Sequence, residues 1–225
     1  KLCQKSHWKG HKSLCKSYQR GETVRWPDKC LALRLTDAIV NEDLDQVKHL
    51  INIERFNIED PVNKWEDESV KPFNMTALQF VVCCNRGLLH AKRVVHLLVE
   101  LGASLETKAP GKGWTALFLA QEMRDIELMK CLCHLGADIN ARDHDGRTIL
   151  HAEAAYIDSA QRTDIAQMIA FWDGFDLHAR DVCGFTALQH AEKCSNTEMV
   201  KLLKNLGIFN SVVGNHDATP NKKGL

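Results

Sequence analysis

Apolar and polar positions follow a long-period repeat through most of the chain. Four segments begin with a threonine two residues before a leucine, and each continues into an apolar run that ends at a glycine. Successive threonines are separated by 39, 33 and 38 residues, and each reaches its glycine after 26, 21, 26 and 21 residues. The four spans are residues 76–102, 115–136, 148–174 and 186–207. Repeated units of 33 to 39 residues are typical of repeat proteins, whose units stack to share one core.

The pattern of apolar and polar residues in each span predicts two short amphipathic helices. The threonine caps the first helix, the leucine lies on its buried face, and the glycine ends the second helix in a left-handed conformation. The first and third spans carry five extra residues between their helices. Residues 32–51 show the two-helix pattern without the T-x-L signature, which predicts a degenerate first unit. Five units are enough for a continuous core. The predicted buried leucines are Leu78, Leu117, Leu150 and Leu188.

The clearest copy of the unit is residues 135–152, which read L-G-A-D-I-N-A-R-D-H-D-G-R-T-I-L-H-A. This run and the 33-residue period resemble the ankyrin repeat, and the resemblance covers about residues 30–209. It implies an all-α solenoid of helix pairs joined by β-hairpin loops. It also implies that His151 is a structural hydrogen-bonding residue, although a histidine at this position would look catalytic in isolation.

The ankyrin resemblance further implies a concave surface, made of hairpin tips and first helices, that binds other proteins. The position before each T-x-L threonine is variable and exposed in that family, and Met75 is its first occupant here. Aromatic residues and arginine are the usual anchors of protein interfaces. For Trp114 and Phe185, local packing between adjacent hairpins is the alternative. The predicted partner-binding residues are Trp114, Arg142, His144, Arg147, Arg180 and Phe185.

Composition changes this picture little. The chain has 225 residues, and 44% of them are apolar. Lys and Arg together number 29, and Asp and Glu together also number 29. No global charge therefore points to nucleic acid, and no apolar run reaches the eighteen residues of a membrane span. The nine cysteines form no C-x-x-C pair. This usage indicates free thiols in a reducing compartment, and hence an intracellular protein of the cytoplasm or nucleus.

The first fifteen residues carry the one pattern that indicates metal chemistry. Cys3, His11 and Cys15 are spaced C-x7-H-x3-C, and thiolate and imidazole are the ligands of structural zinc. The run C-Q-K-S-H-W-K-G-H-K-S-L-C resembles the end of a MYND-type zinc finger, which binds two Zn²⁺ ions with seven Cys and one His. The resemblance implies structural zinc, with Cys3 on one ion and His11 and Cys15 on the other. Three ligands cannot complete a four-ligand site, so the chain is expected to be an N-terminally truncated piece.

These patterns predict four regions. They are a finger remnant at residues 1–15, a linker at 16–29, the repeat domain at 30–209 and a disordered tail at 210–225. The segment of residues 53–75, which contains an acidic run, is too long for an ordinary hairpin and predicts an extended finger or a mobile loop.

The predicted function is a non-catalytic scaffold for protein–protein interactions, with no small-molecule substrate. The chain contains no P-loop, G-x-S-x-G or H-E-x-x-H. Two alternatives stay open. Residues 215–221 read N-H-D-A-T-P-N, which echoes a cofactor motif of SET-type lysine methyltransferases but departs from it in the middle. Residues 1–20 hold six basic and no acidic residues, a pattern that also occurs in nucleic-acid-binding arms.

Overall fold

A computed structural model describes residues 28–62, 75–84, 91–155 and 163–208. The chain divides into two compact parts, residues 1–149 and 150–225, which are described separately. Ten α-helices lie within the described residues. In chain order they are α1 (Asp28–Val40), α2 (Leu44–Asn52), α3 (Ala77–Cys84), α4 (Ala91–Glu100), α5 (Ala116–Glu122), α6 (Ile126–His134), α7 (Ile149–Ala155), α8 (Asp164–Ala170), α9 (Ala187–Lys193) and α10 (Thr197–Asn205).

Three of the helix pairs, α1–α2, α5–α6 and α9–α10, are joined by the same tight turn. One residue of each turn takes a left-handed conformation, namely Glu42, Arg124 and Ser195, with φ of 55°, 56° and 57°. The next residue caps the second helix, because its side-chain oxygen accepts a backbone N–H that the helix cannot satisfy itself. The caps are Asp43, Asp125 and Asn196, which accept from Gln46, Leu128 and Met199 at 3.0, 2.8 and 3.1 Å.

The second helices end as the sequence predicts. Gly136 and Gly207 have φ of +96° and +78°, and the following residue donates its N–H back to the helix, Ala137 to Leu132 at 3.0 Å and Ile208 to Leu203 at 3.0 Å. Glycine is favoured there because it has no Cβ to clash in the left-handed region. In the degenerate first unit Arg55 holds this position, with φ of +53°.

The first part of the chain, which contains α1 to α6, is held together by its first helices. Each pair packs internally, and α3 also packs against both α1 and α5. Complete burial of a large apolar side chain contributes roughly 1.5–3 kcal/mol. Leu78 and Leu117 are 1% and 0% exposed, so both are buried as predicted. The other fully buried large side chains of this part include Leu35, Ile39, Leu50, Leu98, Phe118, Leu128, Met129 and Leu132.

The second part has its own core. Leu150 and Leu188, the remaining two predicted leucines, are 1% and 0% exposed and lie in one cluster. Phe175 and Leu177, which follow α8, pack on this cluster from its margin. The other buried members are Ala154, Ala166, Ala187, Ala191, Met199, Leu203 and Ile208.

Most sequence expectations are confirmed within the described residues. Five helix pairs are present, and α1–α2 form the degenerate first unit. The extra residues lie between α3 and α4 and between α7 and α8, as predicted. The hairpin loops contain no strand in the described ranges, only an isolated antiparallel bridge between Arg180 and Thr186. Helix α1 begins at Asp28, two residues before the predicted start of the repeat domain. The disordered tail predicted from residue 210 lies outside the described residues.

The threonine caps differ among the units. The Thr76 and Thr186 hydroxyls accept the backbone N–H of Gln79 and Gln189 at 3.4 and 3.3 Å. In return, the side-chain oxygen of each glutamine accepts the backbone N–H of the threonine, at 3.1 and 2.8 Å. The expectation that every threonine caps its helix is wrong at Thr115. Its hydroxyl is buried without a hydrogen-bond partner, and the third helical position is Phe118, whose side chain has no oxygen to accept the Thr115 N–H and complete a capping box.

A matched pair of substitutions tests this difference. We expect Thr186→Val to lower the free energy of unfolding by about 1 kcal/mol, since it removes both the cap and a side-chain hydrogen bond. Thr115→Val should leave stability unchanged or raise it, because it replaces a buried hydroxyl that has no partner. Urea unfolding of both variants measures the two effects. Equal losses would contradict this account of the caps.

Candidate partner-binding edge

The same backbone hydrogen bond joins the two arms of each of the four loops that precede a T-x-L threonine. The residue before the T-x-L threonine accepts a hydrogen bond at its carbonyl oxygen from the opposite arm of the loop. The pairs are Val62 to Met75 (3.0 Å), Ala109 to Trp114 (2.8 Å), Asp143 to Arg147 (3.0 Å) and Asp181 to Phe185 (3.0 Å). The four residues that sequence analysis placed in one variable position therefore do share it. We call Met75, Trp114 and Arg147, which belong to the first part of the chain, the hairpin edge.

The first of these bonds also bears on residues 53–75. Val62 and Met75 are joined by the same backbone bond as the ends of the shorter hairpins. Residues 63–74, on which the choice between an extended finger and a mobile loop depends, lie outside the described residues, so both interpretations stay predictions.

A buried carboxylate holds the hairpin that carries Arg147. Asp143 Oδ1 accepts the N–H of Asp145 and of Arg147, both at 2.9 Å. Gly146 closes the turn with φ of +72°. The Arg142 guanidinium then donates across the turn to the Gly146 carbonyl at 2.9 Å. A single aspartate thus satisfies the donors of a tight turn that no strand ladder supports.

His144 joins two successive hairpins. Its N–H donates to the Lys112 carbonyl at 2.9 Å, and its Nδ1 lies 2.9 Å from the Gly111 carbonyl. Its ring occupies the space that a Cβ at Gly113 would need. Gly113 therefore serves two purposes, since it also adopts a φ of +72°. The geometry makes His144 a cross-link within the loops as well as an exposed side chain.

The side chains of the hairpin edge are partly accessible. Trp114 is half-buried, and the Lys112 ammonium lies 4.1 Å from its ring centroid, within cation–π range. Arg147 is 40% exposed and forms an ion pair with Asp145 at 3.2 Å. A rigid aromatic ring beside cationic groups is the composition found at the centres of protein interfaces.

Two glutamates fasten one helix-exit loop to the next. Glu59 accepts the Ser104 N–H at 2.7 Å and the Thr107 hydroxyl at 2.6 Å. Glu106, the equivalent residue one unit later, accepts the Asp138 N–H at 2.8 Å. Each bond is charge-assisted and spans two units, so it limits relative movement of the loops.

In the second part, Phe185 lies in a small cluster of charged and aromatic groups. Its ring is 39% exposed and stands edge-on to His190 at 5.8 Å, and the Lys193 ammonium lies 5.4 Å from its centroid. The buried His151 lies 3.1 Å from the Phe185 carbonyl through Nε2. This bond agrees with the structural role that the ankyrin resemblance implies for His151.

Asp181 holds the Phe185 hairpin in the way that Asp143 holds the preceding one. Its Oδ1 accepts the N–H of Cys183 and Phe185, both at 2.9 Å, and its Oδ2 lies 2.7 Å from His190 Nε2. Burial acts to raise the pKa of Asp181, but the hydrogen bonds from His190 and from the two backbone groups outweigh it and hold the pKa below its usual value. Arg180 donates to the Gly184 carbonyl at 2.7 Å, as Arg142 does to Gly146.

Other predicted sites lie outside the described residues. They include the zinc ligands Cys3, His11 and Cys15, and residues 215–221. Within the ranges that the structure does describe, no group of three or more His, Cys, Asp or Glu could hold a metal ion. No helix in those ranges is long and apolar enough to cross a membrane.

Sequence reasoning missed several residues that shape this edge. Lys112 could have been found from its position two residues before Trp114 in a turn. The inter-unit role of Glu59 and Glu106 carries no signal in a single sequence, because the donors they bind are 45 and 32 residues away. The pairing of Asp181 with His190 depends on how the hairpin folds back over α9.

Comparison with known proteins identifies the repeat. Residues 35–143 match the family model for ankyrin repeats, in three copies, a range that contains the last six residues of α1 and all of α2 to α6. Ankyrin repeat and SOCS box protein 6 of Pongo abelii is 34% identical over 121 residues, which are 49% of this chain and 27% of that protein. NF-kappa-B inhibitor delta of Mus musculus is 30% identical over 115 residues, or 51% of this chain and 34% of that protein.

A third relative, neurogenic locus notch homolog protein 1 of Homo sapiens, is 31% identical over 142 residues, 60% of this chain and 5% of that protein. The chain therefore spans about a third or less of the length of these relatives. Beyond the matched range, the hairpin before α9 and the turn between α9 and α10 repeat the geometry of the earlier units.

The pKa of Asp181 predicts how stability depends on pH. Folding lowers the pKa of Asp181, so its carboxylate stabilises the fold fully at pH values above the pKa in the unfolded chain, about 3.9. This contribution is lost as the pH falls through the lower pKa of the folded chain. We expect Asp181→Asn to be less stable than the native chain at pH 7, and the gap in urea midpoint to narrow towards pH 2. Asp173→Asn, an exposed control in the same part, should show a constant difference. A gap for Asp181→Asn that is independent of pH would refute the prediction.

Proposed function

We propose that this chain, whose residues 35–143 are ankyrin repeats, is a non-catalytic scaffold that binds other proteins through its hairpins. The observation that supports this most is the shared hairpin position, where Trp114, Arg147 and Phe185 each accept the closing hydrogen bond at the backbone carbonyl. Because backbone groups hold these loops, little ordering entropy is lost when a partner binds.

The six predicted partner-binding residues divide by role in this proposal. Trp114, Arg147 and Phe185 present side chains to the partner. Arg142 and Arg180 hold the turns through the carbonyls of Gly146 and Gly184, and His144 joins neighbouring loops. The proposal therefore expects the first three to govern affinity, and the others to govern the rigidity of the surface.

The proposal includes an intracellular location, in the cytoplasm or nucleus. Five described cysteines are free thiols. Burial raises the pKa of Cys133 to about 11, and it raises the pKa of Cys131 as well. Thiols kept protonated in this way react slowly, and four of the five are half-buried. Unpaired thiols support a reducing environment.

We further propose that Cys3, His11 and Cys15 are ligands of structural zinc in a MYND-type finger, which would add a second protein-binding module. The support is the spacing and the ligand chemistry of the N-terminal run. Each structural zinc ion takes four ligands and this run holds three in all, so zinc should be measured on protein that carries a whole finger.

The scaffold proposal predicts the loss of partners from the Trp114→Ala/Arg147→Ala double variant. Truncation of interface anchors typically weakens binding by tenfold or more. Affinity purification with quantitative mass spectrometry, on variants whose circular dichroism matches the native chain, measures the effect. Phe171→Ala/Arg55→Ala removes an exposed aromatic and an exposed arginine, neither of which occupies the shared hairpin position, and should keep the partners. A partner list unchanged by the first pair would reject the assignment.

The zinc proposal predicts a change in metal content. We expect Cys15→Ser to lower the zinc bound per full-length chain by about one ion, because the resemblance puts Cys15 and His11 on the same ion. Elemental analysis by mass spectrometry measures this, with Cys183→Ser, an exposed cysteine outside the motif, as the control. Purified protein that contains no zinc under reducing conditions would disprove the finger.

A further inference from the structure

The second helices of the first part leave a groove between them. Helix α3 packs against both α1 and α5, whereas contact between α2 and α4 is slight. The space that remains is a groove of about 260 Å³. It is lined by Leu44, Lys48, Arg93, His96, Leu97 and Glu100. The groove is built only from α2 and α4, so it is separate from the hairpin edge.

The lining residues form two facing stripes. Leu44 and Lys48 are four residues apart on α2 and share one helix face. Arg93, His96, Leu97 and Glu100 are spaced i, i+3, i+4 and i+7 on α4, which also places them on one face. Leu97 is 5% exposed and forms part of the floor, while the charged ends stand at the rim.

The basic side chains of this groove form no ion pair with a carboxylate in the part of the chain that the structure describes. Among the described residues, Lys48, Arg93 and His96 have no carboxylate within ion-pair distance. The space between α4 and α6 differs, because an ion pair between Lys92 of α4 and Glu127 of α6, at 3.1 Å, spans it. Glu100 is the one carboxylate that lines the groove. The groove is therefore open, apolar at its floor and mainly cationic at its rim.

The size of the groove favours a macromolecular occupant. Its volume equals that of about nine water molecules at about 30 Å³ each. Small-molecule sites are usually about 300–1,000 Å³ and enclose most of the ligand. A shallow groove between two helices instead accepts a few side chains from a segment laid along it.

We propose that this groove binds an acidic amphipathic helix of a protein partner. Apolar side chains of that helix contact Leu44 and Leu97, and carboxylates one turn apart pair with Lys48 and Arg93. A helix fits because both stripes already have helical spacing, and an acidic one fits because two cations, Lys48 and Arg93, face a single carboxylate. The site goes beyond the scaffold function proposed for the hairpins and would give the chain a second docking surface.

The test is a selection from a displayed library of random 14-residue peptides against the full chain. The bound pool is then sorted on two folded double variants with equal charge change. Lys48→Glu/Arg93→Glu alters the groove, and Lys108→Glu/Lys112→Glu alters exposed lysines of a hairpin. All four residues are exposed, so neither variant should unfold the chain. A fluorescent 12-nucleotide single-stranded DNA is titrated in parallel.

We expect peptides that bind the native chain but lose tenfold or more in affinity on the groove variant. They should be rich in Asp and Glu, should carry apolar residues every three or four positions, and should still bind the hairpin variant. Groove-dependent peptides without acidic enrichment, or no groove-dependent peptides at all, would overturn the inference. So would DNA binding that is lost only on the groove variant. Peptides lost only on the hairpin variant would support the hairpin surface while rejecting the groove.

Discussion

A single helix pair of this chain cannot bury its own apolar face, and the rest of the structure depends on that constraint. In the first part the first helices meet and bury leucines such as Leu78 and Leu117 almost completely. Stacking of the first helices fixes the spacing of the loops that precede them. It also leaves the second helices further apart, which is why a groove lies between α2 and α4 and not among the first helices.

The loops have no strand ladder in the described residues, so side chains take over the work of satisfying backbone groups. Asp143 and Asp181 each accept two N–H groups of a turn, and Glu59 and Glu106 reach from one unit to the next. These carboxylates are used within the loops, and aromatic and basic side chains occupy the exposed hairpin positions. The shape of this surface therefore depends on residues other than the exposed ones.

Much of the fold follows from the sequence alone. The period, the paired helices, the buried leucines and the left-handed glycines are local patterns, and each is present in the structure. The shared hairpin position of Trp114, Arg147 and Phe185 also follows from the repeat. What could not be predicted depends on distant partners. The Thr115 hydroxyl makes no cap, His144 joins a neighbouring loop, and Glu59 binds residues more than forty positions away.

The central claim is that the hairpins are ordered before any partner binds. Amide hydrogen exchange of the free chain tests it most directly, at the N–H groups of Arg147 and Phe185, which are bonded to Asp143 and Asp181. The account predicts that these amides exchange at least tenfold more slowly than an unstructured peptide, and that Asp143→Ala and Asp181→Ala remove this protection. Exchange at the rate of an unstructured peptide in the native chain would contradict a preformed binding surface.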